Sequence, residues 1–223
     1  MATACPPPAR WKLRLLRHPF VDWGHFSTWC LLFGCRLENR PDLPTGVPVI
    51  FAGNHASHFD MFFMHECLSR KLNRQVRTVA WGEMGHMPGL RLLMYGFEAI
   101  LVSKRKEAVS LRQMIQVLRS GTNLAVLCEG QRNEVLGTFH PGAAIASLMT
   151  GCAIVPFSLR GAQPVFKELP WPNRLWGHVS VRFHPLLYPQ PYLEKYPVLR
   201  TAAEQMTADL RAIVASGIDY PVS

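Results

Sequence analysis

The feature of this chain that most restricts its fold is a repeated alternation. Short apolar runs of strand length are separated by turn residues and by segments with helical periodicity. Residues 47–52, 76–81, 99–102, 124–128, 153–159 and 179–183 form such runs, as buried or half-buried strands do. Between them, 107–119 places Ala108, Leu111, Ile115 and Leu118 on one helical face. Residues 59–72, 88–95 and 142–149 read as further helices. A last helix is predicted over 201–216, with Thr201 and Glu204 spaced as a capping box. Strands alternating with helices predict an α/β fold with a mixed, mostly parallel sheet flanked by helices.

Ahead of this pattern stands a segment of different character. Residues 1–8 contain three consecutive prolines and read as a disordered leader. Residues 9–38 read as an N-terminal amphipathic helical segment for membrane association. In it Arg10, Lys12, Arg14 and Arg17 are interleaved with Trp11, Leu13, Leu15 and Leu16. Phe20, Trp23, Phe26 and Trp29 then recur at three-residue spacing. Basic residues and tryptophans together suit a helix lying in a membrane interface. The other reading is a helix packed on the domain's own core. The remainder, 39–223, fits one domain of ordinary size.

No transmembrane helix is expected. The uncharged run 23–35 is shorter than the roughly 20 apolar residues a bilayer requires. The uncharged run 135–159 is interrupted by Pro141 and Pro156. A net charge of +9 favours anionic partners, such as lipid headgroups or phosphorylated substrates. No basic run is interleaved with aromatics as in a nucleic-acid module, so nucleic acid is not an expected partner. Six cysteines occur without a CxxC pair, which argues against a disulfide framework and a zinc finger and for a reduced, cytosolic setting.

The chemistry concentrates at Asn54-His55-Ala56-Ser57-His58-Phe59-Asp60, where the first predicted strand gives way to a helix. Ligand sites in open α/β sheets favour that edge. A histidine at the strand end projects into a cleft, and an aspartate five residues later can fold back to one ring nitrogen. The aspartate then fixes the tautomer and stabilises the imidazolium, leaving the other nitrogen as general base. Two plainer readings exist. Asp60 alone suits any helix start, and His55, His58, Asp60 and His65 invite comparison with a metal site. The i, i+4 histidine pair of a zincin is absent, so no metal is expected.

Four segments in order resemble one family, the glycerolipid acyltransferases of the PlsC type. NHxSxxD is matched by Asn54, His55, Ser57 and Asp60. A glycine followed by an apolar strand and a basic end is matched by Gly96 to Arg105, with Lys104 at the family's arginine. The block that usually reads FPEGTRS is here Leu127-Cys128-Glu129-Gly130-Gln131-Arg132-Asn133. An apolar strand with a proline is matched by Ile154-Val155-Pro156-Phe157.

The resemblance implies transfer of a fatty acyl group from acyl-ACP or acyl-CoA to a lysophospholipid hydroxyl, most simply 1-acylglycerol-3-phosphate to phosphatidic acid. It needs no cofactor beyond that thioester cosubstrate. His55 and Asp60 would be catalytic, with Asn54, Ser57 and Pro156 in support. Glu129, Gly130, Arg132, Lys104 and Arg105 would bind the acceptor's phosphate region, Arg132 through its planar fork and Glu129 by positioning. The expected partners are the acceptor, an acyl carrier protein or CoA thioester, and anionic lipid at the cytoplasmic face of the cell membrane. The alternatives are a non-catalytic peripheral lipid-binding protein of the same fold and a thioester hydrolase. Cys128 and Gln131 replace the family's proline and threonine, so the reaction type is better specified than the headgroup.

Overall fold

Ile50-Phe51-Ala52-Gly53 is buried at every position, and its side chains alternate between two cores. Ile50 and Ala52 face one apolar layer and Phe51 the other. A parallel strand of this kind needs a covering layer on each face. The structure, a computed structural model, describes residues 36–56, 60, 64, 67–68, 72–81, 99–102, 107–130, 135–161, 179–219 and 221–222.

Among these residues the strands are β1 (Arg36–Glu38), β2 (Ile50–Gly53), β3 (Val76–Trp81), β4 (Ile100–Val102), β5 (Asn123–Leu127), β6 (Ile154–Arg160) and β7 (Ser180–Phe183). The helices are α1 (Glu107–Arg119), α2 (Gly142–Thr150), α3 (Gln190–Lys195) and α4 (Leu199–Ala215). The strands form one sheet in the order β1-β7-β6-β2-β5-β3-β4. Every neighbouring pair is parallel except β6 and β7. Parallel strands require crossover connections, and α1 and α2 lie in those from β4 to β5 and from β5 to β6, each of which skips one strand of the sheet.

One face of the sheet packs against α1, α2 and α4 through residues such as Leu118, Ala146, Met206 and Leu210. On the other face Phe51 meets Phe183 edge-on at 6.1 Å, and Met64 and Leu68 join the same cluster. Asp60 and Met64 are helical, while Cys67 and Leu68 lie in a wider π-type turn, so part of the helix predicted over 59–72 is in place.

The predicted α/β class, with a mixed and mostly parallel sheet, is the fold found. Three local expectations need correction. Residues 36–38, assigned to the N-terminal amphipathic segment, are a sheet strand that pairs with β7. The rest of that segment, the leader and the helix predicted over 88–95 lie outside the described residues. The last helix begins at Leu199 after Val198 and has no side-chain cap, so Thr201 sits inside its first turn and is not the N-cap. α3 was not predicted; none of its residues is buried, so it carries no apolar stripe to read.

Pro156 lies within β6, where a missing N–H normally costs a ladder bond. It sits opposite His184, just past the end of β7, and its carbonyl accepts from the His184 N–H at 3.0 Å. The proline thus falls where that ladder stops.

Candidate active site

The site grows from the carboxyl ends of three adjacent strands, β6, β2 and β5. β2 ends at Gly53, where a Cβ would collide with the carbonyl and ring of Phe157 on β6. Glycine therefore lets the two strands close up just before the motif. Asn54 continues the pairing with its side chain. Its Nδ2 donates to the Leu159 carbonyl at 3.0 Å, and its Oδ1 accepts from the Leu159 N–H at 2.7 Å. Both bonds are buried, where a lost partner is expensive.

His55 follows, anchored through backbone and ring. Its N–H donates to Glu129 Oε1 at 2.7 Å. Its Nδ1 lies 2.8 Å from Asp60 Oδ2, and the same oxygen accepts the Ala56 N–H at 2.6 Å. With the carboxylate as acceptor, the ring proton sits on Nδ1 and the lone pair on Nε2. Asp60 is fully buried whereas the His55 side chain is 17 % exposed, so the pair is sheltered on the carboxylate side and open on the ring side. This is the geometry of a general base oriented by an acid.

Glu129 is nearly buried at the end of β5, and its second oxygen accepts the Gly137 N–H at 2.9 Å. The carboxylate thereby ties the His55 backbone to the following loop. Gly130 has φ +67°, and a Cβ there would press against the His140 ring at 3.0 Å, so only glycine fits without strain. Beside it, burial and the Glu129 charge push the Cys128 thiol up to about 12, so it is protonated at neutral pH and supplies no thiolate. A cavity of about 480 Å³ opens on the α1–α2 side, lined by Val79, Val102, Leu111, Met114, Cys128 and Ala143, with Gly130 and His140 adding polar groups.

The acyltransferase family profile matches residues 34–160, more than half of the chain. The chain belongs to the acyltransferase family. Among curated relatives, the chloroplastic 1-acyl-sn-glycerol-3-phosphate acyltransferase LPAT1 of Arabidopsis thaliana is 26% identical over 228 residues. That match takes in 93% of this chain and 60% of the plant protein, so the chain spans about three fifths of its relative's length. Among solved structures, the 1-acyl-sn-glycerophosphate (LPA) acyltransferase PlsC of Thermotoga maritima superposes with a TM-score of 0.65 at 19% identity, covering 94% of this chain and 82% of that one. At that identity the likeness concerns the fold.

Of the residues singled out from sequence, the structure brings His55, Asp60 and Glu129 into one bonded cluster, with Gly130 beside Glu129 and Asn54, next to His55 in the chain, bonded to Leu159. Pro156 lies in the neighbouring strand β6. Ser57, Lys104, Arg105 and Arg132 lie outside the described residues. Sequence reasoning missed Gly53, Leu159, Gly137 and His140. Three of these act through backbone atoms or the lack of a side chain, which no motif of side-chain types exposes. Among the described residues, no cluster of three or more His, Cys, Asp or Glu is placed to hold a metal ion. Nor is any helix among them long and apolar enough to cross a membrane.

Proposed function

We propose that this protein transfers a fatty acyl group from a thioester, acyl-CoA or acyl-ACP, to the free hydroxyl of 1-acylglycerol-3-phosphate, giving phosphatidic acid. The observation that carries the reading is the 2.8 Å contact between His55 Nδ1 and buried Asp60, at the sheet edge, in a chain of this family. His55 Nε2 takes the proton of the acceptor hydroxyl as its oxygen attacks the thioester carbonyl. The tetrahedral intermediate collapses, the C–S bond breaks, and the leaving thiolate takes the proton back from the imidazolium. Asp60 stays ionised throughout and stabilises the imidazolium. No protein nucleophile is required, in keeping with a protonated Cys128.

Arg132, Lys104 and Arg105 bind the acceptor phosphate in this reading, because guanidinium and ammonium groups suit a dianionic headgroup. The apolar cavity beside Gly130 takes an acyl chain; its volume of about 480 Å³ is within the range of ligand pockets. The basic, tryptophan-rich stretch before residue 36 holds the protein peripherally at the cytoplasmic face of a membrane with anionic lipid, and the net charge of +9 favours that attachment.

The test is a panel of lysolipid acceptors with acyl-CoA and acyl-ACP donors, read by mass spectrometry, with His55→Ala as control. Transfer to 1-acylglycerol-3-phosphate that His55→Ala abolishes is expected. Thioester hydrolysis that depends on His55, with no acceptor acylated, would overturn the reading in favour of a hydrolase.

A further inference from the structure

Helix α4 reaches the active-site loop with one side chain. Arg211 donates from Nε to the Gly137 carbonyl at 2.8 Å and from Nη2 to the Leu136 carbonyl at 3.0 Å. The Leu136 carbonyl and the Gly137 N–H belong to one peptide unit. That N–H donates to Glu129 Oε2, and Glu129 Oε1 accepts the N–H of His55. A guanidinium therefore stands at the oxygen end of a peptide whose hydrogen end faces a carboxylate, and the carboxylate holds the backbone of the base. Charge at both ends polarises the peptide and strengthens the bonds in series. Leu136 is fully buried, and its own N–H, in the preceding peptide unit, donates to the Pro221 carbonyl at 2.9 Å, so this residue is held on both sides.

We propose that Arg211 is a positioning residue for His55, acting through the Leu136–Gly137 peptide and Glu129. This inference rests on the reading of His55 as the base. Arg211 is 82 residues beyond Glu129 in the chain and in no motif of the site. Its planar fork holds two successive carbonyls in a fixed geometry, where a lysine would offer a point charge on a flexible stem. With the fork gone, the peptide can rotate, the Glu129 carboxylate loses its fixed donor, and the strand end that carries His55 loosens.

The experiment compares Arg211→Met and Arg211→Lys with Asp209→Asn in the full chain. Asp209 lies on the same helix and binds Tyr192 and Gln205, away from the loop, so its variant reports a loss of helix packing alone. Arg211→Met is expected to lower kcat about 10-fold, as small misplacements of a catalytic group do. KM for donor and acceptor should stay within about twofold, since substrate binding is untouched. Arg211→Lys is expected to fall between Met and wild type, and it carries the test if Arg211→Met does not fold. In a double-mutant cycle, Glu129→Gln should remove most of the cost of Arg211→Met. Equal kcat losses in Arg211→Met and Asp209→Asn, or fully multiplicative losses with Glu129→Gln, would overturn the proposal. The nitrogen resonances of the His55 ring, followed by NMR without substrate, give a readout independent of turnover. They should move in Arg211→Lys and hold still in Asp209→Asn, and resonances unchanged in both would overturn the proposal even if no acceptor is found.

Discussion

At the scale of single residues, the proposed proton transfer rests on the pair His55 and Asp60. Asp60 spends one oxygen on two donors, the His55 ring and the Ala56 N–H, so it orients the imidazole and closes the motif into a turn at once. Asp60→Asn is expected to cut kcat about 10³-fold, within the range for general-base catalysis, with KM little changed, as a steady-state assay would show. The buried thiol of Cys128 gives the opposite forecast. Cys128→Ser should retain transfer, and an assay after that substitution checks that sulfur forms no acyl intermediate. A second titratable residue governs stability. His184 Nε2 donates to Ser158 Oγ at 2.7 Å, and the hydroxyl donates onward to the Val214 carbonyl. Burial, and to a lesser degree the charge of Arg182, lowers the His184 pKa from its ordinary 6.5. The neutral ring is thus the folded form. Its contribution is complete above about pH 6.5 and is lost as pH falls through the lowered folded value. Denaturant unfolding between neutral and mildly acidic pH should show a shallower loss of stability in His184→Gln than in wild type.

At the scale of elements, the candidate site depends on how closely β2 approaches β6. Gly53→Ala would push a methyl into the Phe157 backbone and ring, which cannot yield without parting the strands. A cost of about 1–3 kcal/mol in unfolding free energy is expected for overpacking of this kind, together with loss of activity because Asn54 and His55 follow directly. The start of α4 allows a test of a different sort. Were Thr201 a helix cap, removing its hydroxyl would lower stability measurably. Since the helix starts at Leu199, Thr201→Ala should leave the melting temperature within about 2 °C of wild type. Spacing alone proposes the capping box, but the chain after Tyr196 turns into the helix two residues earlier, and the pattern S/T-x-x-E then falls within the helix. The longer strand runs are easier to read, because they are buried or half-buried and their apolar content follows from that burial. β1 was not read, since its three residues are exposed or half-buried and no longer than a turn.

At the scale of the whole molecule, the sheet brings together groups that lie far apart in the chain. β2, β5 and β6 are neighbours, so Asn54 reaches Leu159 and His55 reaches Glu129 across parallel pairs. The same sheet, with α1 and α2 over it, leaves the apolar cavity beside the site. If that cavity takes the acyl chain, Ala143→Leu should shift acceptance toward shorter chains, which competition among thioesters of different length would reveal. The sequence by itself determined the α/β class, most strand positions and the pairing of His55 with Asp60. Those follow from local periodicity and from residues five apart, which a strand end and one helical turn must bring close. Only the tertiary structure decided that Glu129 holds the backbone N–H of His55, that Gly53 must lack a side chain, and that Arg211 grips the loop behind the candidate site. Each of these depends on backbone atoms from strands or helices distant in sequence, and the choice of partner there is made by strand order and packing, not by any pattern along the chain.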